Sequence, residues 1–221
     1  LGSDTIDDAI VWGEDFLFFR KGVALVYSRS DDKVRGVAGP IAAFFGGGTG
    51  ALLFEDKVKD NREAFVAKVR TICQALQIDP NWLMALMHHE SGLDPKIRNK
   101  QGAVGLIQMM PGTAAHHGTT PDALAAMSNV EQLDYALKYY KSGAGRFKSF
   151  TDLYLYGFYP IVLGKSDDWV IGSEGGEKKI AQVVRDNKPL DGNKDGEITI
   201  GEFRAWARTG FSAETLAALG E

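Results

Sequence analysis

Pro80-Asn81-Trp82-Leu83-Met84-Ala85-Leu86-Met87-His88-His89-Glu90-Ser91-Gly92-Leu93-Asp94-Pro95 reads as a helix with both ends marked in the sequence. Asp79, just before it, supplies an N-cap oxygen, and Pro80 suits the first helical position, where a missing N–H removes no bond. Gly92 ends it, with Pro95 beyond. Leu83, Leu86 and Met87 form the inward stripe, and one further step of three or four residues reaches Glu90. A carboxylate there is partly desolvated, which raises its pKa and keeps it protonated near neutrality. That is the state in which a general acid can deliver a proton to a leaving oxygen. The same spacing also fits a terminal Glu turned to solvent or held in a salt bridge.

The helical texture extends on both sides of this segment. Phe65, Val66, Val69, Ile72, Cys73 and Leu76 make one apolar stripe at spacings of three and four, so Cys73 reads as a buried, inert thiol. Further helices fit 121–127, 129–141, about 177–186, and one from about Ile200. Phe203 and Trp206 are expected to face the core from that last helix, with 207–221 as a short tail. The chain is therefore mainly α from residue 60 onward. Before it lies a small α/β segment, with a short helix over 4–12 and strands over 16–19 and 23–27 around a tight turn at Arg20-Lys21-Gly22. Residues 36–54 form an uncharged run of 19 residues containing Pro40 and Gly46-Gly47-Gly48-Thr49-Gly50. A buried Gly-rich connector fits this run, and membrane contact through 36–54 stays open. Three regions result: 1–60 of unassigned role, a helical domain at 61–175, and C-terminal helices at 176–221.

Composition narrows the function classes. With 221 residues there is chain enough for a large core, and the hydrophobic share of 44% excludes a disordered protein. Lys and Arg number 25 against 29 Asp and Glu, so there is no general electrostatic attraction to nucleic acid. The start, Leu1-Gly2-Ser3, shows no secretory leader, and nothing about compartment follows from that.

The segment His88-His89-Glu90-Ser91-Gly92-Leu93-Asp94-Pro95 is followed by Gly102-Ala103-Val104-Gly105-Leu106-Ile107-Gln108-Met109-Met110-Pro111-Gly112-Thr113-Ala114. Together the two blocks resemble the lytic transglycosylase SLT family, relatives of goose-type lysozyme. That family reads Glu-Ser after an apolar helix, then Gly-x-x-Gly-Leu-(Met/Ile)-Gln and a Pro-x-Thr-Ala helix start. The resemblance covers about 62–165 and implies a lysozyme-like helical fold. It implies Glu90 as the catalytic acid/base, Ser91 and Gln108 as polar cleft residues, and Met109 and Met110 as an apolar wall beside the sugar. Core packing is an equal reading for one of the two methionines. Gly102 and Gly105 would let backbone approach closely. A weaker block, Leu155-Tyr156-Gly157-Phe158-Tyr159-Pro160, stands where the family tends to read Ala-Tyr-Asn-Ala-Gly-Pro. On that alignment Tyr156 brings its hydroxyl to the catalytic Glu, with Tyr154 a competing choice.

Glycosidases that use water need two flanking carboxylates. Near Glu90 the sequence offers Asp94, whose place before Pro95 suits an Asx turn. A single-acid site matches the mechanism the resemblance implies. Glu90 protonates the glycosidic oxygen, the substrate N-acetyl group stabilises the cation, and Glu90 then removes the O6 proton as a 1,6-anhydro sugar closes. Hydrolysis in the goose-lysozyme manner stays open, because a carboxylate distant in sequence could complete a pair. The four histidines, His88, His89, His116 and His117, lack H-E-x-x-H spacing and do not read as a zinc site.

A second motif lies downstream. Residues 191–202, Asp191-Gly192-Asn193-Lys194-Asp195-Gly196-Glu197-Ile198-Thr199-Ile200-Gly201-Glu202, fit the twelve-position EF-hand loop. Side-chain oxygens come from Asp191, Asn193 and Asp195, a backbone carbonyl from Glu197, and a bidentate carboxylate from Glu202. Gly196 makes the sharp turn, and Thr199 acts through water. The expectation is one structural Ca²⁺, since the sequence holds a single loop and Pro189 interrupts the incoming helix.

The sequence therefore predicts a monomeric, extracytoplasmic enzyme acting on peptidoglycan glycan strands, without nucleic acid as partner. A muramidase, a wall-binding virion or secretion-machine component with decayed activity, and a toxin whose 36–54 run aids membrane passage are the other readings.

Overall fold

A computed structural model of the chain describes the backbone of residues 8–12, 15–20, 23–28 and 33–36, and residues 50–221 in full. It divides into two compact units, Leu1–Ala51 and Leu52–Glu221.

The first unit is an antiparallel meander of strands β1 (Asp8–Trp12), β2 (Asp15–Arg20), β3 (Val23–Ser28) and β4 (Lys33–Gly36), paired in sequence order. The strands expected over 16–19 and 23–27 are present, with Phe18 opposite Leu25. The helix expected over 4–12 is not: residues 8–12 pair with β2, Ile10 opposite Leu17. Ile, Val and Trp favour extended backbone, and a helix this short has too little length to be stable alone. The described part of this segment is thus all β rather than α/β. Residues 37–49, with the connector and membrane-contact readings, lie outside the described residues. Among the described residues no helix is long and apolar enough to cross a membrane.

The second unit is helical: α1 (Arg62–Leu76), α2 (Pro80–Ser91), α3 (Pro111–His116), α4 (Pro121–Ala126), α5 (Asn129–Tyr140), α6 (Phe150–Phe158), α7 (Gly176–Asp186), α8 (Ile200–Ala207) and α9 (Ala213–Leu219). Phe65, Val69, Ile72, Cys73 and Leu76 of α1 are buried, as their spacing predicts, and burial pushes the Cys73 thiol well up. The caps of α2 also follow the sequence. The Asp79 carboxylate accepts from the Asn81 amide at 2.8 Å, and Gly92, at φ 61°, returns its amide to the His88 carbonyl.

One apolar core runs from Leu52 through α1, α2 and α6 to Phe203 and Leu219, so the helices after residue 175 share the core of those before it. Residues 207–221 are accordingly no tail. Helix α9 returns to α2, where the Leu219 carbonyl accepts from Trp82 Nε1 at 2.9 Å, and the Glu221 carboxylate binds both Arg208 and the Thr151 amide. The signal for this turn back was present in Ser212, whose side chain caps α9.

Candidate active site

Glu90 lies on the last turn of α2, held there because the helix must stop at Gly92. It is half-buried and lines a cleft of about 330 Å³. Burial raises its pKa, and a hydrogen bond with the Tyr154 hydroxyl pulls the other way. Its place at a helix C-terminus, the negative end of the dipole, adds to the preference for the neutral acid.

The loop after α2 builds one wall. Gly105, at φ 80°, is a position where a Cβ would meet Gln132 Oε1 at 2.2 Å. That oxygen accepts from the Leu106 amide at 3.0 Å, while Gln132 Nε2 donates to the Leu124 and Pro95 carbonyls. The close approach expected at Gly105 is therefore to the Gln132 amide group, which pins the loop from α5. So held, the loop presents Ile107, Gln108, Met109 and Met110 to the cleft. Gln108 has φ 45° and donates Nε2 to the Gly105 carbonyl at 3.1 Å. Met109 is buried at 4% exposure and Met110 is 46% exposed, so the first is chiefly packing and the second is wall.

Ser91 does not line the cleft. It is buried, and its hydroxyl lies 2.8 Å from the Met87 carbonyl and 3.0 Å from the Leu106 carbonyl, tying α2 to the loop. A residue one step past Glu90 is rotated about 100° from it, which turns Ser91 inward. Asp94 accepts from the Lys96 amide at 2.8 Å, closing the Asx turn.

Helix α6 corrects the assignment of the tyrosine. The Tyr154 hydroxyl meets Glu90 and lies 2.8 Å from His89 Nδ1, whereas the Tyr156 hydroxyl meets Ser142 Oγ at 2.5 Å. Tyr156 packs among Tyr139, Tyr140 and Phe147, away from the cleft. Residues two apart on a helix point some 200° apart, whereas 154, 157 and 158 share a face, and all three line the cleft. The helical phase could have chosen Tyr154 from sequence alone. Gly157, in place of the family's Asn, accommodates α5: a Cβ there would lie 2.8 Å from the Tyr140 hydroxyl. The Gly157 carbonyl in turn accepts from the Tyr139 hydroxyl at 2.9 Å. Burial, then Tyr156 and Glu90, push Tyr139 up to about 12, so it stays a neutral donor.

The remaining wall comes from residues the motif reading left out. Asp186, Asn187, Pro189 and Leu190 at the end of α7, with Phe203 and Trp206 on α8, complete the cleft. Phe203 stacks on Phe158 at 5.0 Å between ring centres and meets Tyr154 edge-on. The histidines are dispersed. His88 stacks on Phe54, His89 faces Tyr154, and His117 sits against Tyr139.

The 191–202 loop joins these two wall segments, between Leu190 and Phe203. Its turn is as expected, with Gly196 at φ 87°. Asp191 Oδ2 accepts from the Gly196 amide at 3.2 Å, Asn193 Oδ1 from the Asp195 amide and Asp195 Oδ1 from the Glu197 amide, both at 2.9 Å. Glu202 Oε2 closes a capping box with Thr199, and its Oε1 accepts from the Asn193 amide at 3.3 Å. Asp191 Oδ1 is buried with no hydrogen-bond partner. Among the described residues no three His, Cys, Asp or Glu side chains converge as a metal cluster. A short bridge fixes the loop's second half, the Ile171 amide donating to the Ile198 carbonyl at 2.8 Å and the Ile200 amide to the Trp169 carbonyl at 3.0 Å.

Compared with known families, residues 69–156 match the transglycosylase SLT domain. A stretch of 40 residues, 18% of this chain, is 45% identical to the soluble lytic murein transglycosylase of Escherichia coli strain K12. The protein of the same name from Escherichia coli O157:H7 matches equally, and the stretch is 6% of either relative's length.

Proposed function

Starting from the SLT match over 69–156, we propose that residues 52–221 form a peptidoglycan lytic transglycosylase that cleaves the MurNAc–GlcNAc β-1,4 bond. The observation that carries this reading is Glu90, a half-buried acid at the end of α2 with its pKa raised, in a cleft walled by tyrosines and apolar side chains. Glu90 gives its proton to the glycosidic oxygen as the bond to C1 of MurNAc breaks, and the substrate's N-acetyl carbonyl stabilises the cation. The Glu90 carboxylate then takes the O6 proton while O6 bonds to C1, so the acid is regenerated and no water enters. Met110 and Ile107 offer apolar contact to sugar faces, and Gln108 and Tyr139 offer polar contact. The enzyme would act as a monomer outside the cytoplasm, on glycan strands.

A second reading, hydrolysis, has its own support in Asp186, a carboxylate on the same cleft as Glu90. Mass analysis of muropeptides released from purified peptidoglycan, by the wild type and by Glu90→Gln, separates the two. Anhydro-muramyl products lost in the variant are the expected result. Reducing-end products, one water heavier, would move the assignment to a muramidase, and sacculus binding without cleavage would make it a wall-binding module.

We also propose Ca²⁺ as a structural ion in the 191–202 loop, held by Asp191, Asn193, Asp195, the Glu197 carbonyl and Glu202. The buried, unpartnered Asp191 Oδ1 supports this, since a bound cation would supply the partner it lacks. The ion would neutralise the loop's carboxylates and brace the wall formed by Leu190 and Phe203.

A further inference from the structure

Tyr159 stands where the family block tends to read Gly before its Pro, so this chain carries an aromatic ring at a position where the resemblance implies none. The ring is held from several directions. Its hydroxyl donates to Glu174 Oε1, in the turn just ahead of α7, a hydrogen bond strengthened by the acceptor's charge. Lys179 Nζ of α7 lies over the ring, 5.9 Å from its centre, and Phe158 meets it tilted at 6.3 Å between centres. The backbone is fixed as well, with the Tyr159 amide on the Leu155 carbonyl at 2.7 Å and Pro160 next in the chain. Tyr159 nevertheless stays part-exposed. An exposed tyrosine ordinarily keeps its rotamer freedom and surrenders it when a ligand binds. Here that freedom is already lost in the folded chain, so binding on the ring carries less of this cost.

The ring also continues a row that begins in the Glu90 cleft. Trp206 meets Phe203 at 5.8 Å, Phe203 stacks on Phe158 at 5.0 Å, and Phe158 meets Tyr159. The first three line the cleft, and Tyr159 is the outward end of the row. Helix α7 gives the scale. Its Lys179 meets Tyr159 and its Asp186 lines the cleft, seven residues on, or about 10 Å along the helix axis. A glycan strand covers that distance within a few sugar units.

The chemistry around the ring suits a neutral sugar. The C–H face of a β-linked hexosamine is apolar and weakly positive, and an aromatic face is the negative side of its quadrupole. Lys179 offers N–H donors to hydroxyl and N-acetyl oxygens beside the ring. Glu174 and Lys179 carry opposite charges on either side of Tyr159, so the spot has no net attraction for a polyanion.

We propose that Tyr159 is the platform of an outer sugar subsite, on which one hexosamine of a glycan strand stacks while Glu90 acts on a bond deeper in the cleft.

The inference rests on the reading of the Glu90 cleft as a glycan site. Its probes are β-1,4-linked N-acetylglucosamine oligomers, from the dimer to the hexamer, titrated by calorimetry into the full chain carrying Glu90→Gln. Affinity is expected to rise with length once an oligomer reaches Tyr159. Adding Tyr159→Ala should reduce the gain from dimer to hexamer by about tenfold. Tyr159→Trp should keep the gain, and Glu174→Ala, which frees the ring, should fall between. A tyrosine that only ties α6 to α7 would lower the melting temperature when removed, or weaken every oligomer alike. Either result with the length gain intact would overturn the proposal, and so would an affinity that does not grow with length. If no oligomer binds while the wild type still cleaves peptidoglycan, the outer subsite is refuted and the enzyme reading stands. If the length gain depends on Tyr159 while the wild type leaves peptidoglycan intact, the failure belongs to the enzyme reading alone.

Discussion

Arg204 Nη2 on α8 meets Asp152 Oδ1 on α6 at 2.6 Å, with only 15% and 9% of the two side chains exposed. The guanidinium also donates to Asp167 and to Thr151 Oγ1, so one side chain gathers three segments behind the cleft. Removing one member of a nearly buried pair strands the other charge. Arg204→Ala should therefore lower unfolding free energy by about 3–5 kcal/mol, read by urea titration. The double change Arg204→Met with Asp152→Asn should recover much of that loss. Equal damage from single and double variants would mean that packing, and not the pair, holds the helices.

Glu90→Gln tests the acid in a second way, through stability. The folded-state pKa of Glu90 is raised, so the folded protein binds this proton more tightly than the unfolded chain. The group's favourable contribution is complete below its ordinary value of 4.5 and is lost as pH rises through the folded value. Above that folded value the wild type carries a poorly solvated carboxylate that Gln lacks. Glu90→Gln should melt at the same temperature as wild type below pH 4, and progressively higher than wild type as pH rises through the folded value, by calorimetry across pH. Cleavage by the variant should fall by about 10²–10⁴-fold.

Tyr154→Phe and Tyr156→Phe should separate cleanly. The first removes the hydroxyl that meets Glu90 and should reduce kcat with little change in stability. The second loses only the contact with Ser142, so it should cost about 1 kcal/mol in unfolding free energy and leave muropeptide release near wild type. A rate loss confined to Tyr156→Phe would reverse the assignment of the two tyrosines.

Gly157→Ala introduces a Cβ 2.8 Å from the Tyr140 hydroxyl, which belongs to a fully buried ring. Overpacking of this kind should destabilise by about 1–3 kcal/mol, and Tyr140→Phe in the same chain should relieve most of it.

Calcium at about 100 times its dissociation constant should raise stability by about 2.7 kcal/mol, and hence Tm by roughly 5–10 °C. Asp191→Ala or Glu202→Gln should abolish the rise. Terbium luminescence excited through tryptophan gives the binding itself, and its absence in the wild type would remove the ion from the proposal.

The helices of the second unit were legible because their signals are local. Caps such as Asp79 and Gly92 and a stripe such as Phe65 to Leu76 need no knowledge of the rest of the chain. Glu90 was legible for the same reason, being one step further along a stripe. Ser91, Tyr154 and Tyr156 were not settled by motif matching, because a motif gives an order of residues and the cleft is chosen by helical phase. Asp186, Phe203 and Trp206 were invisible as site residues. They reach Glu90 across some 100 positions of sequence, through packing that no short window contains. The strand at Asp8–Trp12 was missed because its partner, β2, decides it.

The carbonyl of Leu219 on the Trp82 indole has a practical corollary for protein engineering. The family match stops at residue 156, yet a fragment cut there would shed Phe203, Trp206 and the helix that seals α2 from behind. Such a fragment would expose Tyr154 and much of the apolar core, and would be a poor building block for chimeric proteins. The portable module is the whole of Leu52–Glu221, and a donor gene should be spliced at the junction between the two units.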